Sequence, residues 1–590
     1  MASRAAPARR RPARRAPSPA RLGARRVRVL AGTCILALVL IAARAAWVQL
    51  VEAPHLSSLT TGQQRLDDTL PAIRGSLLDR RGQPLAISQP ALTVGATLKF
   101  VKNPGAYAAA LAPALHVSES TLLARLSDRS HDFVYLARQR DPTVRGRVHR
   151  ALVAGRLNTG AISFVPESRR VYPQGIGKQL LGATNPDGKG LAGAELSLNA
   201  LLAGTPGRRV VLHGLDGQVI KVEHETPAIP GKTATLTVDQ DIQRSAEQVA
   251  AQTLAKWKAK AVTIVALDPR TGGVLAMASA PGVPSGGYAQ ATPEEQRLRA
   301  VADGYEPGST FKVVTIGAAL QRGVVTPDSM FTVPYSMSLF GQTIRDADLH
   351  GTEQLSVSDI LAESSNIGTV TIARTRLGGV ALSSWIEKLG FGKKTGVDLP
   401  GEFQGEVLPY SKWSGTSILS FPIGEGVLVT PLQMASLYSA IADGGVWHTP
   451  HVLAAVNGRA QPAAKAHRLY ASATASALRT MLGKVVTDSV GTGTQAKVPG
   501  YDVAGKTGTT PKLNSKGIYD GATAGYMSSF VGMIPASHPR AVILVLVDTP
   551  HGKSYYGGDV AAPAFREVAA TAMNALGVRP DDPASATTGG

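Results

Sequence analysis

The feature that most constrains this chain is a tight turn that leads directly into an apolar helix, at residues 305–320. The turn, YEPGSTFK, contains Pro307 and Gly308, both of which are disfavoured inside a helix. The residues that follow, VVTIGAAL, are apolar enough for a buried helix. Ser309 is therefore predicted at a helix N-terminus, where unpaired N–H groups and the helix dipole favour developing negative charge.

Lys312 follows Ser309 by about one helical turn, so their side chains are expected on the same face of the helix. A serine hydroxyl is a weak nucleophile, and a lysine that burial has deprotonated can act as its base. A simpler interpretation is that Ser309 caps the helix and Lys312 is solvated. Because Ser-x-x-Lys recurs by chance in long chains, the simpler interpretation holds unless other motifs accompany the pair.

Composition limits the kinds of site that the chain can carry. Its one cysteine, Cys34, excludes a disulfide framework and a cysteine-based metal site, and the sequence has no His-Glu-x-x-His cluster. We therefore expect neither a metal nor a cofactor. The formal charge is +20, but ten arginines and no acidic residue lie within residues 1–28. Because an apolar segment follows directly, this tail indicates membrane topology rather than a nucleic-acid partner.

The apolar run at 29–43 predicts a membrane anchor, which a following arginine and tryptophan extend to residues 29–50. Residues 1–28 are rich in Arg, Ala and Pro, and are predicted to be a disordered tail in the cytoplasm. The rest of the chain would then be extracytoplasmic. A cleaved signal peptide is the alternative, since Ala-Arg-Ala at 43–45 fits a small-x-small cleavage site.

Three segments follow the anchor. Residues 51–235 contain many Gly and Pro and predict an α+β pedestal domain, 236–576 predict a second domain, and 577–590 predict a flexible tail. In the second domain, strands near both ends imply one sheet with a helical region beside it. The predicted elements are strands at 262–268, 274–278, 528–534 and 541–548 and helices at 241–258 and 561–576.

Two more short motifs follow Ser309 along the chain. SSN at 364–366 lies in an apolar helical region, and KTGT at 506–509 comes directly before the last two predicted strands. Alone, the first would more often be a helix cap and the second a turn. Three such motifs in this order, in an exported protein, indicate that they form one site.

With these motifs the chain resembles the penicillin-binding proteins, whose superfamily carries Ser-x-x-Lys, Ser-Asp-Asn and Lys-Thr-Gly. The resemblance covers about residues 60–575. RGSLLDRRG at 74–82, RVYP at 170–173 and GKGLAGAE at 188–195 are similar to the pedestal of the class B, monofunctional members. Ser365 replaces the Asp of the second motif, a variation that the family tolerates. The resemblance implies an α/β penicillin-binding and serine β-lactamase-like transpeptidase domain, with an antiparallel sheet, after a pedestal and one transmembrane helix.

The resemblance implies a peptidoglycan D,D-transpeptidase and a role for each motif residue. Ser309 would attack the penultimate D-Ala carbonyl of a stem peptide, and Lys312 would take its proton. Burial and the charge of Lys506 would both lower the pKa of Lys312. Ser364 and Asn366 would relay protons and hold the substrate amide. The remaining implied roles are binding of the substrate carboxylate by Lys506, Thr507, Gly508 and Thr509, and an oxyanion hole formed by the N–H groups of Ser309 and Thr509.

The resemblance also implies partners and competing functions. Stem peptides on lipid II-derived glycan would be the substrate, β-lactams would be inhibitors, and a multi-spanning lipid II polymerase and divisome membrane proteins would be partners. The GLAGAE sequence is more similar to division-septum members than to elongation members, which are the alternative. A β-lactamase or D,D-carboxypeptidase would need a deacylating water, for which the sequence offers no obvious base. A non-enzymatic β-lactam sensor or scaffold is the third alternative.

Two other short sequences match motifs of different functions, but neither fits the context that its motif requires. GYDVAGKT at 500–507 fits the P-loop pattern, but the Thr-Gly-Thr-Thr-Pro after Lys506 cannot begin the helix that a P-loop requires. ELSLN at 195–199 resembles the Glu-bearing loop of class A β-lactamases, but it precedes Ser309 instead of following the second motif. Glu195 is predicted to be a structural ion-pair partner in the pedestal.

Overall fold

The computed structural model describes residues 19–52, 65–213 and 219–581. The chain divides into two compact units, one formed by Met1–Pro71 with Pro206–Ala228 and the other by Ala72–Thr205 with Ile229–Gly590. Most of the expected pedestal, residues 51–235, shares a unit with the C-terminal region. The physical reason is a sheet to which both contribute strands.

The first unit contains an N-terminal helix and a three-stranded antiparallel sheet. The helix spans Pro19–Trp47 and continues as a π-helical turn at Val48–Glu52. Arg25–Glu52 is long and apolar enough to cross a membrane. The helix begins before the predicted anchor because Pro suits a first helical turn and Ala, Leu and Arg favour helix, so the predicted disorder of 19–28 is wrong. Residues 1–18 lie outside the described residues. The strands are Arg65–Leu70, Gly207–His213 and Val219–Thr226.

The central sheet of the second unit has five antiparallel strands from both ends of the C-terminal region, as predicted. Their spatial order is Val274–Ala280, Ala261–Leu267, Ala541–Asp548, Tyr526–Ile534 and Ala504–Pro511. β-Branched residues fill the inner strands, as in AVTIVAL and AVILVLVD, and suit a buried pleated surface. Ala504–Pro511 is an edge strand, which pairs only with Tyr526–Ile534 in the part of the chain that the structure describes.

Helices cover both faces of this sheet. Gln240–Trp257, whose first turn is capped by the Asp239 carboxylate, packs with Ala562–Ala575 on one face. Lys312–Gln321 and Pro431–Ala442 belong to the core of the other face. Further helices of this region are Pro293–Gln296, Arg299–Ala302, Val357–Ala362, Asn366–Ile372, Gly379–Lys388, Ser417–Ser420, Ser472–Thr487, Gly521–Ala524 and Gly557–Val560.

Four short antiparallel strand pairs lie among these helices. They are Met330–Val333 with Glu353–Ser356, Ser336–Leu339 with Gln342–Arg345, Glu406–Val407 with Val427–Leu428, and Val446–His448 with Ala466–Arg468.

A second sheet joins the pedestal segment to the C-terminal region. Its path is Arg459–Ala460, Leu453–Val456, Ala234–Leu236, Leu77–Leu78, Pro84–Thr97 and Phe133–Arg140, with Ile162–Val171 also paired to Pro84–Thr97. The accompanying helices are Pro104–Leu115, Glu119–Ser127, Val144–Ala154, Lys178–Leu181, Gly193–Ser197 and Asn199–Leu202. Because Leu453–Val456 pairs with Ala234–Leu236, the two segments fold as one unit.

A buried ion cluster connects the three pedestal sequences that resemble the class B family. Glu195 accepts from Nε of Arg74 at 2.7 Å and from Nε of Arg170 at 2.6 Å. All three side chains are buried. Arg74 also donates to Asn199 Oδ1 and to the backbone oxygen of Gly188. The prediction that Glu195 is a structural ion-pair partner is confirmed.

Candidate active site

The predicted turn-to-helix junction at Ser309 is present. Ser309 is half-buried in a 3₁₀ turn, Gly308–Phe311, and the α-helix Lys312–Gln321 follows directly. Gly308 has a φ of 54° and its N–H donates to the Gly424 oxygen at 3.1 Å. A Cβ at Gly308 would collide with Oγ1 of Thr510, so only glycine allows this approach of the turn to the edge strand.

Lys312 is fully buried and joins the first motif to the second. Its Nζ donates to Oδ1 of Asn366 at 2.7 Å, to Oγ of Ser364 at 3.3 Å and to the backbone oxygen of Ser364. Among the described residues, no hydrogen bond joins the Ser309 hydroxyl to Lys312. The structure therefore brings Lys312, Ser364 and Asn366 together. Of these, Lys312 lies one helical turn after Ser309 in the chain.

Burial lowers the pKa of Lys312 to about 7, although the carboxyls of Asp346 and Glu425 oppose this shift. Burial, and then the positive charge of Lys312, lower the pKa of Lys506 well below its usual value. Burial alone accounts for the lowered pKa of Lys312, and the predicted contribution from the charge of Lys506 is not among its causes. The charge of Lys312, by contrast, contributes to the lowered pKa of Lys506.

The second motif is held by Asp346, a residue that the sequence analysis missed. Ser365 caps the helix Asn366–Ile372, accepting from the Gly368 N–H at 2.9 Å and donating to Oδ2 of Asp346 at 2.7 Å. Oδ1 of Asp346 accepts from the N–H groups of Asn366, at 2.5 Å, and Ile367, at 3.0 Å. The Asp346 carboxylate thus fixes the helix start from which Asn366 reaches Lys312. No sequence motif marks Asp346, because its link to the second motif exists only in space.

Ser364 has a φ of 66°, in the left-handed region that residues other than glycine adopt only rarely. The helix Val357–Ala362 ends just before it and Asn366–Ile372 begins just after it. This backbone conformation directs both the oxygen of Ser364 and the side chain of Asn366 toward Lys312. Strain of this kind typically persists at functional sites, where the surrounding structure enforces it.

The third motif lies on the edge strand Ala504–Pro511. Lys506 is fully buried, and its Nζ donates to the oxygen and to Oγ1 of Thr507, each at 3.2 Å. Oγ1 of Thr509 accepts from the Gly557 N–H at 2.9 Å. A Cβ at Gly508 would lie 3.0 Å from the Pro307 oxygen and would collide with Ser529. Gly508 therefore lets this strand lie directly against the turn that carries Ser309.

The geometry brings the predicted residues of all three motifs into one site, and it does not fit a P-loop. Lys506 lies within a strand, whereas the P-loop lysine opens a helix. Among the described residues, no group of three or more His, Cys, Asp or Glu side chains is arranged to hold a metal. The oxyanion-hole role of the Ser309 and Thr509 N–H groups stays a prediction.

Two further carboxyls lie next to the turn and were also missed from the sequence. Oε1 of Glu306 accepts from the Tyr519 hydroxyl at 2.7 Å and from the Gly426 N–H at 2.8 Å. Burial raises the pKa of Glu425 to about 7, assisted by the charge of Glu306 and opposed by that of Lys312. The carboxyls of Asp346 and Glu425 therefore both favour the charged form of Lys312.

Two family profiles match the chain. The penicillin-binding protein transpeptidase domain matches residues 262–570, and the penicillin-binding protein dimerisation domain matches residues 69–236. Together they cover the site and the pedestal segment.

Individual proteins are similar over most of the chain. The peptidoglycan D,D-transpeptidase FtsI of Escherichia coli K12 is 31% identical over 94% of this chain and 92% of its own length. The penicillin-binding protein PbpB of Mycobacterium tuberculosis is 34% identical over 91% of this chain and 83% of its own. The crystal structure of penicillin-binding protein 3 from the same organism, complexed with aztreonam, has a TM-score of 0.66 and 30% identity, over 88% of this chain and 99% of that one.

Proposed function

Because this chain belongs to the class B penicillin-binding proteins, we propose that it is a peptidoglycan D,D-transpeptidase that acts through an acyl-enzyme on Ser309. The observation that carries the proposal is the environment of Lys312. A fully buried lysine with a pKa near 7, one turn from a half-buried serine, can hold or release a proton at neutral pH. The names of the relatives supply the substrate class.

Acylation begins with attack of Ser309 Oγ on the carbonyl carbon of the penultimate D-Ala. Neutral Lys312 accepts the hydroxyl proton, and the N–H groups of Ser309 and Thr509 stabilise the oxyanion. The C–N bond to the terminal D-Ala then breaks, and its nitrogen takes up a proton relayed through Lys312 and Ser364. D-Ala leaves, and the rest of the stem peptide remains as an ester on Ser309.

Lys506 links substrate binding to this proton transfer. A substrate carboxylate placed against Lys506, Thr507 and Thr509 favours the ammonium form of Lys506, because an opposite charge stabilises it. A positive charge on Lys506 lowers the pKa of its neighbour Lys312, since each lysine disfavours the charge of the other. Binding of the carboxylate therefore helps to prepare Lys312 as the base.

Transfer to the acceptor completes the reaction. An amine from a second stem peptide attacks the ester carbonyl, loses its proton to Lys312, and forms the cross-linking amide as the bond to Ser309 Oγ breaks. The proton returns to Ser309 and regenerates the hydroxyl. A β-lactam has the same carbonyl and carboxylate but no separate leaving group, so it acylates Ser309 and stays attached.

We also propose the cellular setting. The helix within 29–50 is a single-pass anchor, and the arginines before it place the N-terminus in the cytoplasm and the site outside. Residues 51–235 act as the pedestal and 236–576 as the transpeptidase domain. The similarity of GLAGAE to septal members supports a role in division, beside a multi-spanning lipid II polymerase. Depletion should give filamentous or chained cells; rounded cells would indicate elongation instead.

Labelling of the full chain with fluorescent penicillin tests the site. One label should attach, at Ser309, and persist for many minutes. Ser309→Ala should abolish labelling, whereas the matched change Ser120→Ala, at an exposed position of a pedestal helix, should leave it intact. Undiminished labelling of Ser309→Ala would disprove the assignment, and rapid release of the label would favour a β-lactamase.

A further inference from the structure

His350 lies outside the three motifs, on the segment between the strands Gln342–Arg345 and Glu353–Ser356. Its Nε2 lies 3.2 Å from Oδ2 of Asp346, and its Nδ1 lies 2.6 Å from the backbone oxygen of Gly351. The side chain is largely buried, with 18% of its surface exposed. His350 therefore contacts the carboxylate that fixes the start of the second-motif helix.

Both oxygens that His350 contacts can only accept a hydrogen bond. The backbone oxygen of Gly351 carries no proton. The Asp346 carboxylate already accepts from Oγ of Ser365, and it also accepts from the N–H groups of Asn366 and Ile367. A neutral imidazole has one N–H and can satisfy only one of the two oxygens, whereas an imidazolium has two N–H groups and satisfies both. The geometry therefore favours the charged ring.

The surroundings of the ring are acidic. Besides Asp346, the carboxyl of Glu353 lies 3.6 Å from Nδ1, and the carboxyl of Glu363 is close enough to interact with the charge of His350. The ring of Tyr335 packs edge-on against the imidazole, with 5.9 Å between the ring centroids. Three carboxyl groups thus act on the ring, and an opposite charge stabilises the imidazolium.

The balance of these interactions favours the proton on His350. Burial disfavours the charge, but the hydrogen bonds to Gly351 and Asp346 and the charges of Glu353 and Asp346 outweigh it. Together they raise the pKa of His350 above its usual value. The ring is therefore set to change its charge within the range of pH in which a histidine commonly acts as a switch.

A chain of contacts connects this ring to the general base. His350 donates to the Asp346 carboxylate, which accepts from the N–H of Asn366, and Oδ1 of Asn366 accepts from Nζ of Lys312 at 2.7 Å. When the ring loses its proton, one of its nitrogens presents a lone pair to an oxygen. That contact is then repulsive, and the Asp346 carboxylate is held less firmly.

We propose that His350, as an imidazolium, is a positioning residue for acylation, because it holds the Asp346 carboxylate and thereby the Asn366 amide against Lys312. The inference rests on the proposed transpeptidase function. Loss of the ring proton loosens this arrangement, so acylation should lose part of its rate at alkaline pH.

The variant His350→Gln tests the inference in the detergent-solubilised full chain. Glutamine keeps a neutral N–H donor and cannot become a cation, so it represents the neutral ring. Penicillin should acylate the parent about fivefold faster than His350→Gln near pH 6, and the two second-order rate constants should converge by about pH 9. Lys312 titrates in both proteins, so its contribution cancels in the ratio. A ratio that stays constant or rises with pH would overturn the inference.

A second pair of variants tests whether His350 acts through Asp346. In the Asp346→Asn background the carboxylate is absent, so adding His350→Gln should change the rate constant by the same factor at every pH. A ratio that still falls as pH rises would show that His350 acts by another route, and would overturn the positioning role. These rate constants do not depend on how much of a preparation is folded, so a partial loss of folded protein does not alter the comparison.

His149→Gln is the matched control, since His149 lies at an exposed position of the pedestal helix Val144–Ala154. Its rate constant should equal that of the parent at every pH. The same measurements separate this inference from the proposed function. If penicillin acylates Ser309 in the parent and in His350→Gln with a constant ratio, only the role of His350 fails. If penicillin does not acylate Ser309 in the parent, the proposed function fails.

Discussion

Two groups of buried ionisable side chains in this molecule differ in whether they have a partner of opposite charge. In the pedestal, Arg74 and Arg170 lie 2.6–2.7 Å from the Glu195 carboxylate, and all three are almost inaccessible to solvent. At the site, Lys312 and Lys506 are equally buried. Yet among the described residues neither lysine forms an ion pair, and both donate only to hydroxyl, amide and carbonyl oxygens.

The difference shows that the partner, and not burial, decides what a buried charge does. A carboxylate between two guanidinium groups stays ionised and joins segments far apart in the sequence. A buried lysine without a carboxylate is destabilised as an ammonium, so its pKa falls and its proton becomes transferable. The first arrangement stabilises structure, and the second prepares chemistry.

Removal of the Lys312 amine should have the largest effect on activity after loss of Ser309 itself. It should reduce activity without reducing stability. Lys312→Met should slow penicillin acylation by about 10²–10⁴-fold, because the base is lost. It should not lower the unfolding temperature at pH 7, because methionine removes an unfavourably buried ammonium without changing the length of the side chain much. Acylation kinetics and calorimetry of the same preparations measure the two effects.

The pH dependence of stability gives the matching control. The pKa of Lys312 is about 7 in the folded chain and near its ordinary value, about 10.4, in the unfolded chain. Between these values the unfolded chain binds more protons, so stability rises with pH across this window. From pH 7 to pH 9 the unfolding temperature of the parent protein should therefore rise more than that of Lys312→Met. Identical slopes would contradict the unpaired state of Lys312.

Removal of a charge from the pedestal cluster should lower stability, in contrast to removal of the Lys312 amine. Arg74→Met should reduce the free energy of unfolding by about 3–5 kcal/mol, because it leaves Glu195 with one of its two guanidinium partners. Denaturant titration measures the loss. Arg138→Met is the control, since its ion pairs with Glu167 and Asp187 are partly exposed and should contribute at most about 1 kcal/mol. Equal losses of unfolding free energy in the two variants would show that burial does not increase the contribution of the cluster to stability.

Loss of the Lys506 amine, or of the Asn366 amide that contacts Lys312, should have an intermediate effect on the acylation rate. Lys506→Ala and Asn366→Ala should each slow penicillin acylation by an amount equivalent to about 2–4 kcal/mol, by analogy with loss of one oxyanion donor. Asn366 accepts a 2.7 Å hydrogen bond from Lys312, and Lys506 is the residue proposed to bind the substrate carboxylate. Second-order rate constants of acylation measure both. A loss as complete as that of Ser309→Ala, or no loss, would refute these roles.

The sequence predicts individual strands of the central sheet, the turn at Ser309 and the three motifs, because each of these is encoded by residues close together in the chain. It fails where the cause is spatial. Asp346 and Glu425 have no motif of their own, and they matter only because folding places them near Lys312. The pairing between the strands Leu453–Val456 and Ala234–Leu236 joins segments far apart in the chain, and no sequence motif marks it.

The smallest expected effect is that of the Glu425 carboxyl on the pKa of Lys312. Among the described residues Lys312 forms no ion pair, yet this carboxyl still acts on it. The carboxyl of Glu425 raises the pKa of Lys312, although no ion pair forms between them. Removing that charge with Glu425→Gln should favour neutral Lys312. The midpoint of the rise in acylation rate with pH should then move below its parent value near 7.

The shift should stay below about one pH unit, because Glu425 is itself only partly ionised at the midpoint. Burial and the charge of Glu306 raise the pKa of Glu425 to about 7, so near neutral pH its carboxyl carries on average a fraction of a charge. Asp346→Asn, which also removes a charge that raises the pKa of Lys312, should shift the midpoint in the same direction. Glu387→Gln, at an exposed position of the helix Gly379–Lys388, is the control and should not shift it. Stopped-flow acylation between about pH 5 and about pH 9, a range of about two units on each side of the parent midpoint, resolves such shifts. A midpoint that rises in Glu425→Gln would mean that the Glu425 carboxyl does not stabilise the ammonium form of Lys312.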